Sequence, residues 1–317
     1  MRVVAADRLD PARAGYLWLE RTQAADGAWA TSYDQDTVLD PKVDTNQCAY
    51  VAVGIWQWWQ ITGDLELPRR MWPVVRKALD FVVGMQLPGG QLSWSREPDG
   101  TVVSDALLTG SSSAYQSLRC GIALAGLFRD PQPEWELAAG LLQHAVAHHP
   151  EVFLDKSRFS MDWYYPVLGG AVRGEAGRTR LAAEWDVFVV PDVGARCVSD
   201  RPWVTGAETA ELAMALATVG QRELALQVFT DVQHLREPSD GSYWTGLVFD
   251  EDVRWPEERS TWTAAAMVLA ADALVGGPTL ELFAGGELPT GVLLPVDVCS
   301  REGAHCADGA SEPAQHA

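Results

Sequence analysis

Three times in the chain a glutamine is followed by a short glycine-containing turn and then a tryptophan: Gln23 to Gly27 and Trp29, Gln86 to Gly90 and Trp94, and Gln233 to Gly241 and Trp244. In each copy an amphipathic segment ends near the glutamine, and a much more apolar one follows the turn. A repeated unit of this kind cannot bury its apolar half alone, so the copies must stack, and stacked helical hairpins of constant curvature close into a ring. The expected fold is all-α, an α/α toroid. What a ring encloses is a pocket.

The rest of the chain follows the same alternation. Segments 11–23, 70–86, 133–148, 176–188 and 221–235 mix apolar and charged residues as outer helices do. Segments 45–62, 110–128, 160–172, 204–219 and 259–275 are apolar nearly all round beyond a polar first turn, as helices enclosed by other helices must be. The inner segments start roughly 45–65 residues apart, the length of two helices and their loops. Five hairpins are expected in full. A sixth is partial: 278–298 offers a short helix from Thr279 to Phe283 and an extended Leu/Val/Pro stretch, so the ring is either five and a half hairpins or closed by that segment. One domain is expected over 1–298, with 299–317, rich in Gly, Ala, Ser, Glu and His, as a disordered tail.

The formal net charge of −19 argues against a nucleic-acid partner, which would need a basic face. No segment has the uninterrupted apolar run of a spanning helix, and the start lacks the apolar stretch of a signal peptide, so a cytoplasmic protein is expected. Three lysines against twenty-one arginines point to a bacterium with a GC-rich genome. Five scattered cysteines imply no disulfide framework, and Cys48 and Cys120, in apolar segments, read as core.

With these turns and this rhythm, the chain resembles the α/α-toroid proteins of the prenyltransferase and squalene-cyclase repeat superfamily over about 10–276. The resemblance implies an enzyme acting on a small isoprenoid or similar substrate in a Trp-rich central pocket. It also implies that the glutamines and tryptophans of the turns are scaffold, the glutamine capping neighbouring backbone and the tryptophan packing over it. The motifs of isoprenoid chemistry do not accompany it. Asp34-Gln-Asp36-Thr37 lacks the last carboxylate of the Asp-x-Asp-Asp cluster of protonating cyclases, and no Asp-Asp-x-x-Asp magnesium site occurs. Asp, Cys and His show no zinc spacing, so no metal or cofactor is assigned. His144 and His148 share an outer helix face and read as exposed polar residues; His305 lies between Cys299 and Cys306 in the tail.

In rings of this type the pocket is built from the loops leading into the inner helices. Those loops carry Asp44, Tyr115, Arg158, Asp162, Trp163, Tyr164, Tyr165, Asp200, Arg201, Trp203, Glu208 and Trp262. Asp162 and Glu208, on consecutive inner helices, are the first candidates for an acid and base pair, with Asp44 and Asp200 next. The aromatic residues are candidates to stack on sugar faces or to stabilise carbocations, and Arg158 and Arg201 to receive a diphosphate. Two further readings stay open, a sugar-acting enzyme of the six-hairpin type with paired carboxylates and a non-catalytic binding scaffold. The arginines discriminate: free, they favour an isoprenyl diphosphate; paired with neighbouring carboxylates, a neutral sugar.

Overall fold

The computed structural model describes residues 8–286 and 288–292. The expected tail, with Cys299, His305 and Cys306, and the end of the extended stretch lie outside the described residues. Helices alternate between two layers in chain order. Outer α1 (Leu9–Thr22) precedes inner α2 (Thr45–Thr62), α3 (Glu66–Gly84) precedes α4 (Leu108–Phe128), and α5 (Pro133–His148) precedes α6 (Ser160–Leu168). Outer α7 (Gly174–Ala183) with its one-turn continuation α8 (Trp185–Phe188) precedes α9 (Gly206–Thr218), and α10 (Arg222–Asp231) precedes α11 (Thr261–Leu274). The chain is an α/α toroid, as its repeats predict. Alanine and glycine fill much of α9, which lets its neighbours approach closely enough to bury it nearly all round.

The repeated turns show why the layers hold. Gln23 Nε2 donates to the carbonyl of Gly27 in its own turn and to Val74 of the next outer helix, and Gln86 repeats this on Gly90 and Ala138. Three residues beyond each of those acceptors the glycine meets the same helix. A Cβ on Gly27 would sit 2.1 Å from the Lys77 carbonyl, and one on Gly90 2.6 Å from that of Leu141. Both glycines have positive φ, +95° and +88°, so the turn needs glycine for its conformation and for its close approach. The third copy differs: Gln233 bonds Phe229 and Tyr243 within its own hairpin, and Gly241 faces only the Arg236 side chain. Among the described residues no outer helix follows α10 for it to grip.

The ring closes through α12 (Pro278–Ala284), which packs against α9, α11 and α2. The apolar core falls into two clusters, one around α2 to α5 and one around α6 to α11, and Phe283 of α12 packs against both. Inner helix α4 holds the closing segment from within. Arg119, fully buried, donates to the carbonyls of Gly285, Leu288 and Pro289; Gln116 reaches Leu282 and Tyr115 reaches Thr290. Arg173 adds bonds to Ala284 and Gly285. Carbonyls at and beyond a helix C-terminus carry partial negative charge, which lets a buried guanidinium stand without a carboxylate partner. Burial still lowers the Arg119 pKa to about 10.

At the other end of the ring, short strands tie down the loops that lead into the inner helices. Strands β1 (Ser32–Asp34) and β2 (Thr37–Asp40) form a hairpin, and β3 (Val43–Asp44), just before α2, pairs with β4 (Ser95–Arg96) from the loop before α4. Beyond the two-residue pair β5 (Val189–Val190) and β6 (Gly194–Ala195), β7 (Trp203–Thr205) pairs with β8 (Gly246–Val248), and β8 with β9 (Val253–Arg254). The loop before α6 joins the loop before α9 through Ser160 N–H and the Cys197 carbonyl. The mouth is thus fixed by backbone. No single described helix is long and apolar enough to cross a membrane.

Candidate active site

Each inner helix leads with polar residues and turns apolar one or two turns later, so stacking five of them around an axis sets a polar mouth above a deeper cavity. Asp44 is the N-cap of α2, its Oδ1 accepting the Gln47 N–H at 3.0 Å. It shares a pocket at the rim with Asn46, Trp94 and Thr109, and its partial burial raises its carboxyl above the ordinary range. Trp94 is part of that rim, with the Lys42 ammonium 4.2 Å above its ring.

Asp162 is buried and serves the neighbouring helix. Its Oδ1 accepts the Thr109 hydroxyl at 2.7 Å, and the Thr109 backbone N–H also donates to it, so it satisfies the free first turn of α4. Burial raises its carboxyl too. Glu208, in the first turn of α9, is partly exposed, and its carboxylate accepts the Cys197 thiol. Asp200 lies exposed at the rim with the Arg158 guanidinium at 2.8 Å, and that hydrogen bond lowers its carboxyl. Arg201 is exposed beside them. The rim arginine Arg158 is therefore paired, the arrangement that favours a neutral sugar.

The aromatic candidates divide. Trp163 is buried, stacks on Phe188 at 5.5 Å and donates to the Arg180 carbonyl, which places it between α6 and the outer layer. Tyr115 belongs to the closure, and Trp203 packs on Trp255 while donating to its carbonyl at 2.8 Å. Tyr164, Tyr165 and Trp262 gather toward the axis.

There the structure places a residue that the sequence reading passed over. Glu211, one turn below Glu208, is buried inside the ring and accepts from Tyr164 at 2.5 Å and Tyr165 at 2.9 Å. Burial pushes its carboxyl up to about 8, against the two hydroxyls that favour the ionised form. The string continues through Tyr50, which hydrogen-bonds with Tyr165 and Ser113, to Asn46, which pairs with Ser113. One polar thread thus runs from the mouth at α2 to the centre of α9. Its signal in the sequence was a glutamate in an otherwise apolar inner helix, three residues after Glu208 and so on the same face.

Glu211, Tyr165, Tyr50 and Ser113 of this thread line an axial cavity of about 270 Å³, with Trp262 at its open side and Leu168, Met214, Leu269 and Phe283 below. Trp262 is 54% exposed, and Tyr50 is 37% exposed, so the cavity communicates with solvent. No group of three or more His, Cys, Asp or Glu able to hold a metal occurs among the described residues. The histidines of α5 are less exposed than expected: His144 is buried, its ring 5.1 Å from those of His148 and His149.

No protein-family model matches the chain. A curated relative, the MMP endo-(1,4)-3-O-methyl-alpha-D-mannosidase of Mycolicibacterium hassiacum, is 54% identical over 293 residues, 92% of this chain and 81% of the relative. Among solved structures, a D-mannose isomerase superposes with a TM-score of 0.59 at 12% identity, covering 81% of this chain and 78% of its own. A rhamnosidase from Klebsiella oxytoca with rhamnose bound gives 0.55 at 13% identity, covering 88% and 55%. The two structures share the fold. The relative carries more: the expectation of an enzyme holds, and the prenyltransferase or terpenoid-cyclase resemblance, with its transferase chemistry and isoprenoid substrate, is corrected. The reason is physical. A glutamine and a glycine gripping the next outer helix answer a packing problem common to any ring of helical hairpins, so the repeat reports geometry and not chemistry.

Proposed function

The chain belongs to the family of that mycobacterial endo-mannosidase, and on this premise we propose that it is a glycoside hydrolase cleaving internal α-(1,4) linkages of a 3-O-methylated mannose oligosaccharide at the mouth of its ring. The observation that carries the reading is the 54% identity over nearly the whole chain, and the carboxylates of separate inner helices around one mouth agree with it. Hydrolysis needs one carboxyl to protonate the leaving oxygen and another to take a proton from water. Asp44 suits the first role, because burial favours its protonated form. Glu208, partly exposed on α9, suits the second. As the C1–O bond breaks, the Asp44 proton passes to the glycosidic oxygen, while water loses a proton to Glu208 and its oxygen bonds to C1. Asp162 holds the first turn of α4 in place, and Trp262 offers an aromatic face to a sugar ring. The pairing of Arg158 with Asp200 occupies one of the two rim arginines that a diphosphate would use. We place the reaction in the cytosol, where the buried free thiols of Cys48 and Cys120 suit a reducing compartment.

The test is turnover of an α-(1,4)-linked 3-O-methylmannose oligosaccharide by Asp44→Asn and Glu208→Gln variants. Asparagine caps a helix as well as aspartate does, so Asp44→Asn separates the proton from the cap. Each variant should lose roughly 10²–10⁴-fold in kcat at unchanged melting temperature. Near-wild-type turnover in both would remove these two residues from the mechanism, and absence of any cleavage by the wild type would end the reading.

A further inference from the structure

The axial cavity has a composition that a sugar site does not need if it recognises hydroxyls alone. Its upper wall is polar, but every polar group there already has a protein partner. Tyr165 bonds Glu211, Ser113 bonds Asn46 and the Gly110 carbonyl, and Gln116 is committed to Leu282 and Arg119. No buried side-chain polar atom of the lining lacks a partner among the described residues. Below them Leu168, Met214, Leu269 and Phe283 offer only carbon and sulfur. A free hydroxyl pressed into that floor would lose water and gain nothing. A methyl group placed there would gain burial.

Size agrees. About 270 Å³ is roughly nine water volumes at ~30 Å³ each, room for one substituted pyranose ring. Among the described residues Glu211 is the only Asp, Glu, Lys, Arg or His of the lining, and its burial favours the neutral form, so nothing there calls for a charged ligand. The cavity lies one to two helical turns below Asp44, Asn46, Asp162 and Glu208, so a sugar bound there stays within reach of the mouth.

We propose that the axial cavity is a subsite for an O-methylated pyranose, in which Ser113, Tyr50, Tyr165 and Glu211 flank the ring hydroxyls and the floor of Leu168, Met214, Leu269 and Phe283 reads the methyl ether. The placement of the cavity against the cleaved bond and the choice of a methyl ether rest on the hydrolase reading above; the preference for an apolar substituent over a hydroxyl rests on the lining. Met214 is the specificity-determining residue, since it stands on α9 one turn beyond Glu211 and borders both the polar thread and the apolar floor.

The experiment compares the full chain with Met214→Gln and Met214→Leu. Two measurements are made on each: kcat/KM on α-(1,4)-linked mannose oligosaccharides with and without 3-O-methyl groups, and affinity for free 3-O-methylmannose against mannose by calorimetry. Wild type should prefer the methylated ligand by about 10–100-fold in both, the usual weight of one apolar carbon in a fitted pocket. Met214→Gln, similar in shape but supplying a polar partner for a hydroxyl, should narrow both ratios at least about tenfold, and Met214→Leu should keep them. Equal ratios in wild type and in a Met214→Gln variant that melts like wild type would overturn the proposal while leaving the hydrolase reading intact. Discrimination in binding with no hydrolysis of either oligosaccharide would leave the subsite standing and end the hydrolase reading.

Discussion

Glu211 shows how much one buried carboxyl can matter. Its pKa stands near 8 in the fold and near 4.5 in an unfolded chain, so between those values the native state holds a proton that the unfolded state has released. Stability then falls as pH rises from about 5 to about 8, by at most about 1.4 kcal/mol per pH unit from this group, and levels off above. Melting temperatures taken across that range should show the slope, and Glu211→Gln, which cannot ionise, should flatten its share of it. An identical slope in the variant would mean that Glu211 is ionised at neutral pH. At the same scale, Trp29 is 7% exposed and donates to the Leu19 carbonyl, so Trp29→Ala should cost about 3–5 kcal/mol in urea unfolding. Trp94, expected from the sequence to behave alike, lines the rim pocket and is only partly buried. Trp94→Ala should cost visibly less, and a loss equal to that of Trp29→Ala would return it to the scaffold.

Between elements the turn glycines sit against neighbouring backbone, so they tolerate no side chain without a shift of one element against another. Gly27→Ala and Gly90→Ala combine a positive φ with a Cβ driven into a neighbouring carbonyl, so each should destabilise by about 2–4 kcal/mol. Gly241→Ala keeps the unfavourable φ but meets only the movable end of Arg236, and denaturant midpoints should rank it as the mildest of the three. Two cations hold the closing segment, and Arg119 reaches further along it than Arg173 does. Arg119→Met leaves the Gly285, Leu288 and Pro289 carbonyls without that donor and should cost about 3–5 kcal/mol. Hydrogen exchange should then quicken in 285–292 before it does in α4; uniform protection across both would show that the segment is held by something other than Arg119.

For the whole molecule, Phe283 packs against both apolar clusters, and its contact should strengthen the coupling that lets the ring unfold as one unit. Calorimetric and van't Hoff enthalpies should agree for wild type and diverge for Phe283→Ala, whereas a single sharp transition in both would place the coupling elsewhere. The sequence by itself determined the ring. Helical periodicity, the apolar character of the inner segments and the Gln, Gly and Trp turns are local properties, and they located the ten alternating helices within a few residues, along with the short helix at Thr279 to Phe283. They fell short where one helix was expected and a break occurred, as at the join of α7 and α8, because a one-turn interruption leaves the apolar pattern almost unchanged. Only the tertiary structure decided which of the candidate side chains come together. It assigned Asp162 to capping a neighbouring helix, Trp163 to the outer layer and Tyr115 to the closure, while a glutamate hidden in an apolar helix emerged as the polar centre of the cavity. A side chain's role depends on which of several equivalent helix faces meets the axis, and the ring fixes that by contacts between residues as far apart in sequence as Tyr115 and Thr290. Neither period nor composition encodes such a pairing.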